Sequence, residues 1–226
     1  GGVGASLALL GKQVLCLDGD VGLRNLDITL GMTDAALMDF SDVMAGRCDL
    51  SRAAVPHPTV SGLHLLTAPL TLPGDFPGEA GFQALLQQAR EAYDYVLIDS
   101  PAGLGPGFRL AVCGADRAIV VAVSDPSSLR DAQRVVTQLS QLETIHLVVN
   151  RVRPRLLRRQ NTTIDDAMDT AGLPLLGLVP EDPKVVLAAT EGRPLAQLGA
   201  RRGAVRAYEN IARRLTGQPV PLMGLR

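Results

Sequence analysis

The sequence predicts an α/β fold with three layers, in which helices cover both faces of a doubly wound, mainly parallel sheet. Two observations predict this class: short apolar runs rich in β-branched residues recur along the chain, and segments with helical spacing separate most of them. This alternation is typical of parallel sheets. The predicted strands are Gln13–Leu17, Leu63–Ala68, Tyr95–Asp99, Ala118–Val123, His146–Asn150 and Leu175–Val179. In such sheets, ligands bind at the carboxyl ends of the strands.

The helices are predicted from apolar residues that recur every three or four positions. In one of them, Leu85, Leu86 and Ala89 share a face. The predicted helices are Phe82–Tyr93, Ser128–Leu142, a helix that Thr163 caps and that extends to Gly172, and Gly203–Leu215. Because no internal repeat or long linker is present, we expect a single domain over residues 1–216 and a short tail at 217–226.

The composition is that of a soluble globular protein. The 226 residues are 46% hydrophobic and 20% charged with a net charge of −1, which argues against a disordered or strongly nucleic-acid-binding chain. The longest apolar stretches, such as Ala118–Val123 and Val185–Ala189, are much shorter than the roughly 20 residues of a membrane-spanning helix. The three cysteines lack C-x-x-C spacing, so we expect a reduced cytoplasmic compartment.

Two predicted strands run directly into aspartates. The first is followed by Asp18-Gly19-Asp20, and Val96–Ile98 is followed by Asp99. A carboxylate at the edge of a sheet suits a metal-bound or attacking water, as in phosphoryl transfer. For any single strand, a turn or helix cap is the commoner explanation for an aspartate. Two such strands in one chain favour a phosphate-handling site without identifying a nucleotide.

The chain begins with the glycine-rich run Gly1-Gly2-Val3-Gly4. A glycine-rich turn can direct backbone N–H groups onto a phosphate, whereas a flexible terminus is the plain alternative. These four residues are therefore candidate phosphate ligands.

Several motifs in combination resemble one family of nucleotide-binding proteins. They are Gly1–Gly4, Asp18–Asp27, Gly46-Arg47-Cys48, Tyr93–Gly103, Gly114–Ala118, Val149-Asn150-Arg151, Val179–Asp182 and Asn210–Arg214. Together they are similar to the MinD/ParA family of deviant Walker A P-loop ATPases. The Gly22–Asp27 stretch resembles the MinD branch, the bacterial septum site-determining ATPases. The resemblance extends from the first residue to about Leu222.

This resemblance implies a P-loop ATPase that binds ATP and Mg²⁺ and forms a homodimer with ATP. Members of the MinD branch are cytoplasmic and associate peripherally with the inner membrane, where the dimer recruits the division inhibitor MinC. MinE then stimulates hydrolysis and release, which confines the division ring to mid-cell. By resemblance, MinC and MinE are the expected partners, and no sequence-specific nucleic acid is expected.

The resemblance also implies roles for the residues near the phosphates. Asp20 resembles the switch I carboxylate that positions water and metal, and Asp18 is its neighbour in the catalytic group. Asp99 resembles the Walker B aspartate that holds the Mg²⁺ shell. Gly1–Gly4 resemble part of the phosphate loop.

Other positions match the base-binding and partner-binding motifs of the family. Asn150 resembles the residue that binds adenine by paired hydrogen bonds, and three residues would shape the base pocket: Pro180, Glu181 and Asp182. Asp131 matches an acidic position of the partner-binding face. A second acid that is usual in that motif is Gln133 here.

The phosphate loop departs from the family motif, Lys-Gly-Gly-Val-Gly-Lys-Thr-Thr. Gly4 is followed by Ala5-Ser6, and the two lysines of the chain, Lys12 and Lys184, lie elsewhere. The first family strand is absent or incomplete, and we expect a crossover segment of about ten residues to be missing after Gly4. For the chain as written, we expect ATP hydrolysis to fail, because the missing cation and hydroxyl stabilise the transferred phosphoryl group. The short tail also lacks an amphipathic basic helix for membrane binding.

Two alternative functions stay open. A ParA-like partitioning ATPase would bind DNA, although a solvated basic loop is the simpler explanation for its supporting cluster, Arg151, Arg153, Arg155, Arg158 and Arg159. A non-catalytic pseudo-ATPase adaptor would explain the departure in the phosphate loop. The scattered histidines give no support to a Ser or Cys hydrolase.

Overall fold

A computed structural model describes residues 1–160, 163–198 and 202–224, apart from the side chains of Arg158 and Gln160. It divides the chain into two units, Gly1–Gly114 with Leu187–Gly199 and Ala115–Val186 with Ala200–Arg226. Each unit contains a sheet with helices packed on it, so the predicted α/β class is confirmed. The predicted single domain over residues 1–216 stays a prediction.

The sheet of the first unit has four strands in the order β2-β3-β1-β4. The pairs β1–β3 and β1–β4 are parallel, and β2–β3 is antiparallel. The strands are β1 (Val14–Asp18), β2 (Val55–Pro56), β3 (Leu63–Leu66) and β4 (Tyr95–Asp99). The helices of this unit are α1 (Gly2–Leu9), α2 (Leu26–Leu30), α3 (Phe40–Met44), α4 (Leu50–Ala53), α5 (Gly78–Ala92) and α6 (Pro106–Val112).

The central strand β1 is buried along its whole length because helices cover both of its faces. Leu15 and Leu17 belong to the core cluster that α3, α4 and α5 complete. Cys16, on the opposite face, lies against Gly4 of α1, where an added Cβ would come within 2.4 Å of the Cys16 Sγ atom. Alternate side chains of β1 therefore pack against two separate helical layers.

The sheet of the second unit has three parallel strands in the order β5-β6-β7. These strands are β5 (Arg117–Val123), β6 (Thr144–Val152) and β7 (Leu175–Pro180). The remaining helices are α7 (Pro126–Gln138), α8 (Pro154–Gln160), α9 (Ile164–Ala171), α10 (Pro183–Thr190) and α11 (Gly203–Leu215). Across the described ranges, every helix is too short or too polar to cross a bilayer.

All six predicted strands are present within a few residues of their expected bounds. The two-residue strand β2 was not predicted, because it is too short for a periodic pattern. Helix α7 begins at Pro126, two residues before the predicted start, because the Asp125 carboxylate accepts hydrogen bonds from the N–H groups of Ser127 and Ser128. The predicted capping of α9 by Thr163 is confirmed.

Gly177 lies where β7 meets α11, and its missing side chain makes room for Ile211. A Cβ atom at this position would lie 2.5 Å from Cγ1 of Ile211, which is fully buried. Such overpacking of a core typically costs about 1–3 kcal/mol.

We therefore expect Gly177→Ala to lower the free energy of unfolding by about 1–3 kcal/mol in chemical denaturation. Gly74→Ala is the matched control, because no heavy atom lies within 4 Å of its added Cβ. Equal unfolding free energies for the two variants would contradict this packing argument.

Candidate functional site

The carboxyl ends of β1 and β4 bring the predicted aspartates to one edge of the first sheet. Asp18 ends β1, Asp99 ends β4, and the two residues are partners in the parallel register. Just beyond the ladder, the backbone N–H of Gly19 donates to the carbonyl oxygen of Asp99 at 2.9 Å. Asp20 follows directly, so its backbone starts from a strand end that is tied to Asp99.

Asp18 is buried and organises the loop after β1. One carboxylate oxygen, Oδ1, accepts from the N–H of Asp20 at 2.9 Å, and the other, Oδ2, accepts from the N–H of Leu26 at 3.1 Å. Burial raises the pKa of Asp18; the two N–H groups oppose this shift, and the charges of Asp99 and Asp20 add to it. Both carboxylate oxygens of Asp18 therefore hold backbone groups of the loop, and its catalytic role stays a prediction.

The carboxylates of Asp20 and Asp99 are free of such partners. Neither side chain has a hydrogen bond or an ion pair with any residue that the structure describes. Asp99 lines a cavity of about 70 Å³ together with Gly1, Cys16, Leu26, Leu97 and Ile98. Free carboxylates at the edge of a sheet can accept a hard cation or hold a water molecule.

The glycine-rich start of the chain is helical, which corrects the expected loop. Gly2, Val3 and Gly4 form the first turn of α1, and Gly1 precedes it. The helix continues through Ala5 without a break because Gly4 packs closely onto β1 and β4. The first-turn N–H groups of such a helix have no partner within it, so they remain candidates for phosphate binding.

Ser6 and the two lysines occupy other positions. The Ser6 hydroxyl is buried in α1 and donates to the carbonyl oxygen of Gly2 at 2.9 Å. Lys12 follows the opposite end of α1, and Lys184 lies in α10. Neither lysine therefore belongs to the glycine-rich turn that begins α1.

In the second unit, Asn150 lies near the end of β6, where the strand is irregular. The register between β6 and β7 shifts between Val149 and Val152, and Arg151 adopts a left-handed conformation with φ of 50°. Bulges of this kind redirect a neighbouring side chain. The Asn150 Oδ1 atom accepts from the N–H of Arg151 at 2.9 Å, which uses one of its two lone pairs.

The three residues expected to shape the base pocket follow or end β7. Pro180 is the last residue of β7 and pairs with Val152. The Glu181 carboxylate is bound by Arg153 and lies 3.5 Å from Arg151, and its hydrogen bond with Arg153 lowers the pKa of Glu181. Two members of the basic cluster thus neutralise a carboxylate in their own unit.

Asp182 caps two helices at once. Its Oδ1 atom accepts from the N–H of Lys184 in α10 at 3.0 Å, and its Oδ2 atom accepts from the N–H of Ala204 in α11 at 3.1 Å. A Cβ at Gly203 would lie 2.3 Å from Oδ2, so the approach of this carboxylate requires glycine there. Asp182 thereby fixes the course of the chain beyond β7.

Helix α7 carries the expected partner residue Asp131 and also lines a groove between α7 and α9. Asp131 is exposed on α7, where its carboxylate lies 3.3 Å from Arg134. The groove has a volume of about 430 Å³, and its lining residues include Leu129, Arg130 and Gln133 of α7 and Asp166 of α9. This unit therefore combines an exposed acid with a nearby recess of mixed polarity.

Comparison with known proteins identifies the family. The model of the AAA domain family matches residues 2–154. The septum site-determining protein MinD of Bacillus subtilis is 39% identical over 228 residues, which cover 99% of this chain and 85% of that protein. The chain belongs to the MinD family.

Two solved structures agree with this family assignment. The MinC:MinD cell division complex of Aquifex aeolicus has a TM-score of 0.90 at 34% identity, covering 99% of this chain and 91% of that one. MinD of Pyrococcus horikoshii, complexed with Mg-ADP, has a TM-score of 0.81 at 25% identity, covering 95% of this chain and 87% of that one.

MinD proteins are ATPases, and ATP with Mg²⁺ is the cofactor pair of the family. The acidic edge of this chain fits Mg²⁺, because the unpaired carboxylate of Asp99 lines a small cavity and Asp20 follows the neighbouring strand end. Within the described ranges, no three His, Cys, Asp or Glu side chains cluster as a complete metal cage. Mg²⁺ commonly uses one or two carboxylates together with water and phosphate oxygens, so a full cage is not required.

From the sequence alone, no role was predicted for one residue of the first unit, His57. His57 is buried between α2 and the turn that precedes β3, and it makes three hydrogen bonds to backbone groups. Its sequence neighbours, Pro56 and Pro58, indicate only a turn. No local sequence pattern indicates its contact with the carbonyl oxygen of Leu30, because Leu30 is 27 residues away along the chain.

The raised pKa of Asp18 predicts a specific pH dependence of stability. The folded chain retains the Asp18 proton to a higher pH than the unfolded chain does. The contribution to stability is thus complete below the unfolded pKa, about 3.9 for an aspartate, and is lost as the pH rises through the folded pKa.

We expect the free energy of unfolding of the unmodified chain, relative to Asp18→Asn, to fall as the pH rises from about 4 through that range. Urea unfolding of both proteins at matched pH values measures this difference. A difference that does not vary with pH would contradict the assigned burial of Asp18.

Proposed function

We propose that this chain acts as a MinD-type nucleotide switch in the placement of cell division, with the acidic edge of its first unit as the Mg²⁺–phosphate end of the site. The observation that carries the proposal is the pair of free carboxylates, Asp20 and Asp99, at neighbouring strand ends that the Gly19–Asp99 backbone hydrogen bond joins. Membership of the MinD family supplies the reaction class.

Each residue at this edge has a separate role in binding Mg²⁺ and phosphate. Asp99 holds the metal shell, Asp20 accepts a hydrogen bond from the attacking water, and Asp18 fixes the backbone from which Asp20 extends. The first-turn N–H groups of α1 face phosphate oxygens. When bound, Mg²⁺ supplies positive charge that stabilises the transferred phosphoryl group.

In the second unit, we assign adenine binding to Asn150. Its amide offers a donor and a second acceptor lone pair, which suits the edge of an adenine base. Pro180 pairs with Val152 on the neighbouring strand, which brings the backbone at the end of β7 close to this part of β6. Glu181 contributes by holding Arg153.

The proposal predicts Mg²⁺-dependent ATP binding that requires Asp99. We expect Asp99→Asn to weaken Mg²⁺–ATP binding at least roughly tenfold in calorimetric titration, because it removes a charged metal ligand. We expect Asp20→Asn to bind Mg²⁺–ATP with nearly unchanged affinity. Asp34→Asn is the control, because Asp34 is an exposed turn residue of the same unit. Binding that chelation of Mg²⁺ leaves intact would sink the proposal.

A non-catalytic adaptor is the second candidate, and the position of Ser6 favours it. Its buried hydroxyl donates to the carbonyl oxygen of Gly2 at 2.9 Å and is therefore not directed at a metal. Phosphate release separates the two candidates once binding has been established. Binding without release supports the adaptor, whereas MinE-stimulated release supports the switch.

We assign MinC recognition to Asp131 and the α7–α9 groove. Asp131 supplies the acidic position of the partner motif, and the groove supplies a recess large enough for several side chains of a partner. The Aquifex aeolicus complex gives the partner class by analogy. MinE stimulation, ATP-dependent homodimerisation and recruitment to the inner membrane complete the proposal on family grounds.

This assignment predicts that Asp131→Arg weakens binding of the MinC encoded by the same genome roughly tenfold, through charge reversal at the contact. Glu91→Arg on α5 applies the same reversal to an exposed position of the other unit and is expected to leave binding unchanged. Biolayer interferometry with purified MinC and Mg²⁺–ATP measures both. Equal affinities for both variants would remove α7 from the partner surface.

A further inference from the structure

His57 joins the end of α2 to the turn before β3 through its two ring nitrogens. Nε2 lies 2.9 Å from the carbonyl oxygen of Leu30, the last residue of α2. Nδ1 accepts from the backbone N–H groups of Thr59 at 3.1 Å and Val60 at 3.0 Å. The ring is only 7% exposed, so its polar atoms depend on these partners in place of water.

This pattern fixes the protonation of the ring. Because Nδ1 accepts two N–H groups, it carries no proton, and the proton of the neutral imidazole lies on Nε2. Nε2 therefore donates to the Leu30 carbonyl, one of the groups that a helix leaves unpaired at its carboxyl end. A donor to that carbonyl and an acceptor for the turn are both required at this position.

The helix that His57 holds is the one that follows the loop of Asp20. At its start, the N–H of Leu26 donates to Asp18. At its end, Leu30 is bound by His57, and Gly31 approaches Gly192 so closely that an added Cβ would collide with the Gly192 carbonyl oxygen. The loop of residues 19–25 is therefore continuous with a five-residue helix anchored at both ends.

A short helix of this kind gains little stability from its own hydrogen bonds, so its anchors decide its position. Asp18 anchors only the first turn of α2. At its far end, where Gly31 also packs on Gly192, the His57–Leu30 hydrogen bond joins α2 to the turn before β3.

We propose that His57 is a positioning residue for the nucleotide site. It holds α2, and α2 in turn holds the loop that carries Asp20. This role rests on the proposed function of Asp20. The proposal does not change which ligand Asp20 binds. His57 controls the fraction of time that the loop of residues 19–25 spends in the conformation seen in the structure.

Two substitutions separate the two hydrogen-bonding roles of His57, the Nε2 donor to Leu30 and the Nδ1 acceptor from Thr59 and Val60. His57→Asn retains an acceptor close to the position of Nδ1 but is too short to reach Leu30. His57→Gln extends an amide N–H toward Leu30 but loses the acceptor beside the backbone of Thr59 and Val60. His64→Asn is the matched control, because His64 is a half-buried histidine of the same unit that packs on Tyr93 with ring centroids 5.2 Å apart.

The primary measurement is amide hydrogen exchange of the full chain by NMR. In the structure, the N–H groups of Thr29, Gly31 and Met32 donate within α2 and its end. We expect His57→Asn to accelerate their exchange about fivefold or more while Thr59 and Val60 stay protected, because one buried hydrogen bond is lost. We expect His57→Gln to give the opposite pattern and His64→Asn to leave α2 unchanged.

The response of the loop to Mg²⁺–ATP is the second measurement, because it does not require hydrolysis and a merely structural role would not change it. The N–H of Arg24 donates to the carbonyl oxygen of Asp20 at 3.3 Å. We expect Mg²⁺–ATP to slow the exchange of this N–H in the unmodified chain and in His57→Gln, and to slow it several-fold less in His57→Asn.

Unchanged exchange in α2 for His57→Asn, or equal acceleration in His64→Asn, would overturn the anchoring of α2 by His57. Faster exchange in α2 with an unchanged response of Arg24 to Mg²⁺–ATP would overturn its role at the nucleotide site. A failure of the proposed function is distinct, since the unmodified chain would then bind no Mg²⁺–ATP while the exchange pattern of α2 still tests the anchoring.

Discussion

The acidic edge of the first unit depends on one buried carboxylate. Asp18 accepts the N–H groups of Asp20 and Leu26, and both donors would otherwise be without a partner at the end of a fully buried strand. An unsatisfied buried N–H costs about 1–3 kcal/mol, so the loop between these donors is strongly constrained. Burial of this carboxylate, together with the charges of Asp99 and Asp20, raises the pKa of Asp18.

The second unit uses a carboxylate in a comparable way. Asp182 accepts one N–H from the start of α10 and one from the start of α11, so two helices share a single cap. Gly203 permits the close approach that this geometry requires. In both units, therefore, an aspartate that motif comparison assigns to the ligand also determines where the backbone around the ligand site lies. Substituting either residue would change structure and binding together, and separating the two effects requires a measurement of each.

The sequence predicted the strands well because buried parallel strands are continuous apolar runs, and β1 is buried at every position. Its aspartates were predicted to lie at one edge because parallel strands end on the same side. The helical state of Gly2–Gly4 was not predictable from local propensity, since glycine disfavours helices. It depends on packing: Gly4 has no side chain, and that lets α1 approach Cys16. The bonds of His57 were equally hidden, because they join Leu30 to a turn far along the chain.

The charge balance at the acidic edge bears on what this chain can do with a nucleotide. Asp18, Asp20 and Asp99 lie at one edge, and like charges in proximity disfavour one another, as the effect of Asp99 and Asp20 on the pKa of Asp18 illustrates. The polyphosphate of ATP is also negative, so its approach to this edge is unfavourable without a compensating cation. In a P-loop that carries its lysine, an ammonium group shares that task with the metal. A divalent cation at Asp99 would supply part of that compensation, and nucleotide affinity would then depend on metal binding. Binding of the nucleotide and its hydrolysis therefore have to be measured separately, because a change at this edge alters the charge that both depend on.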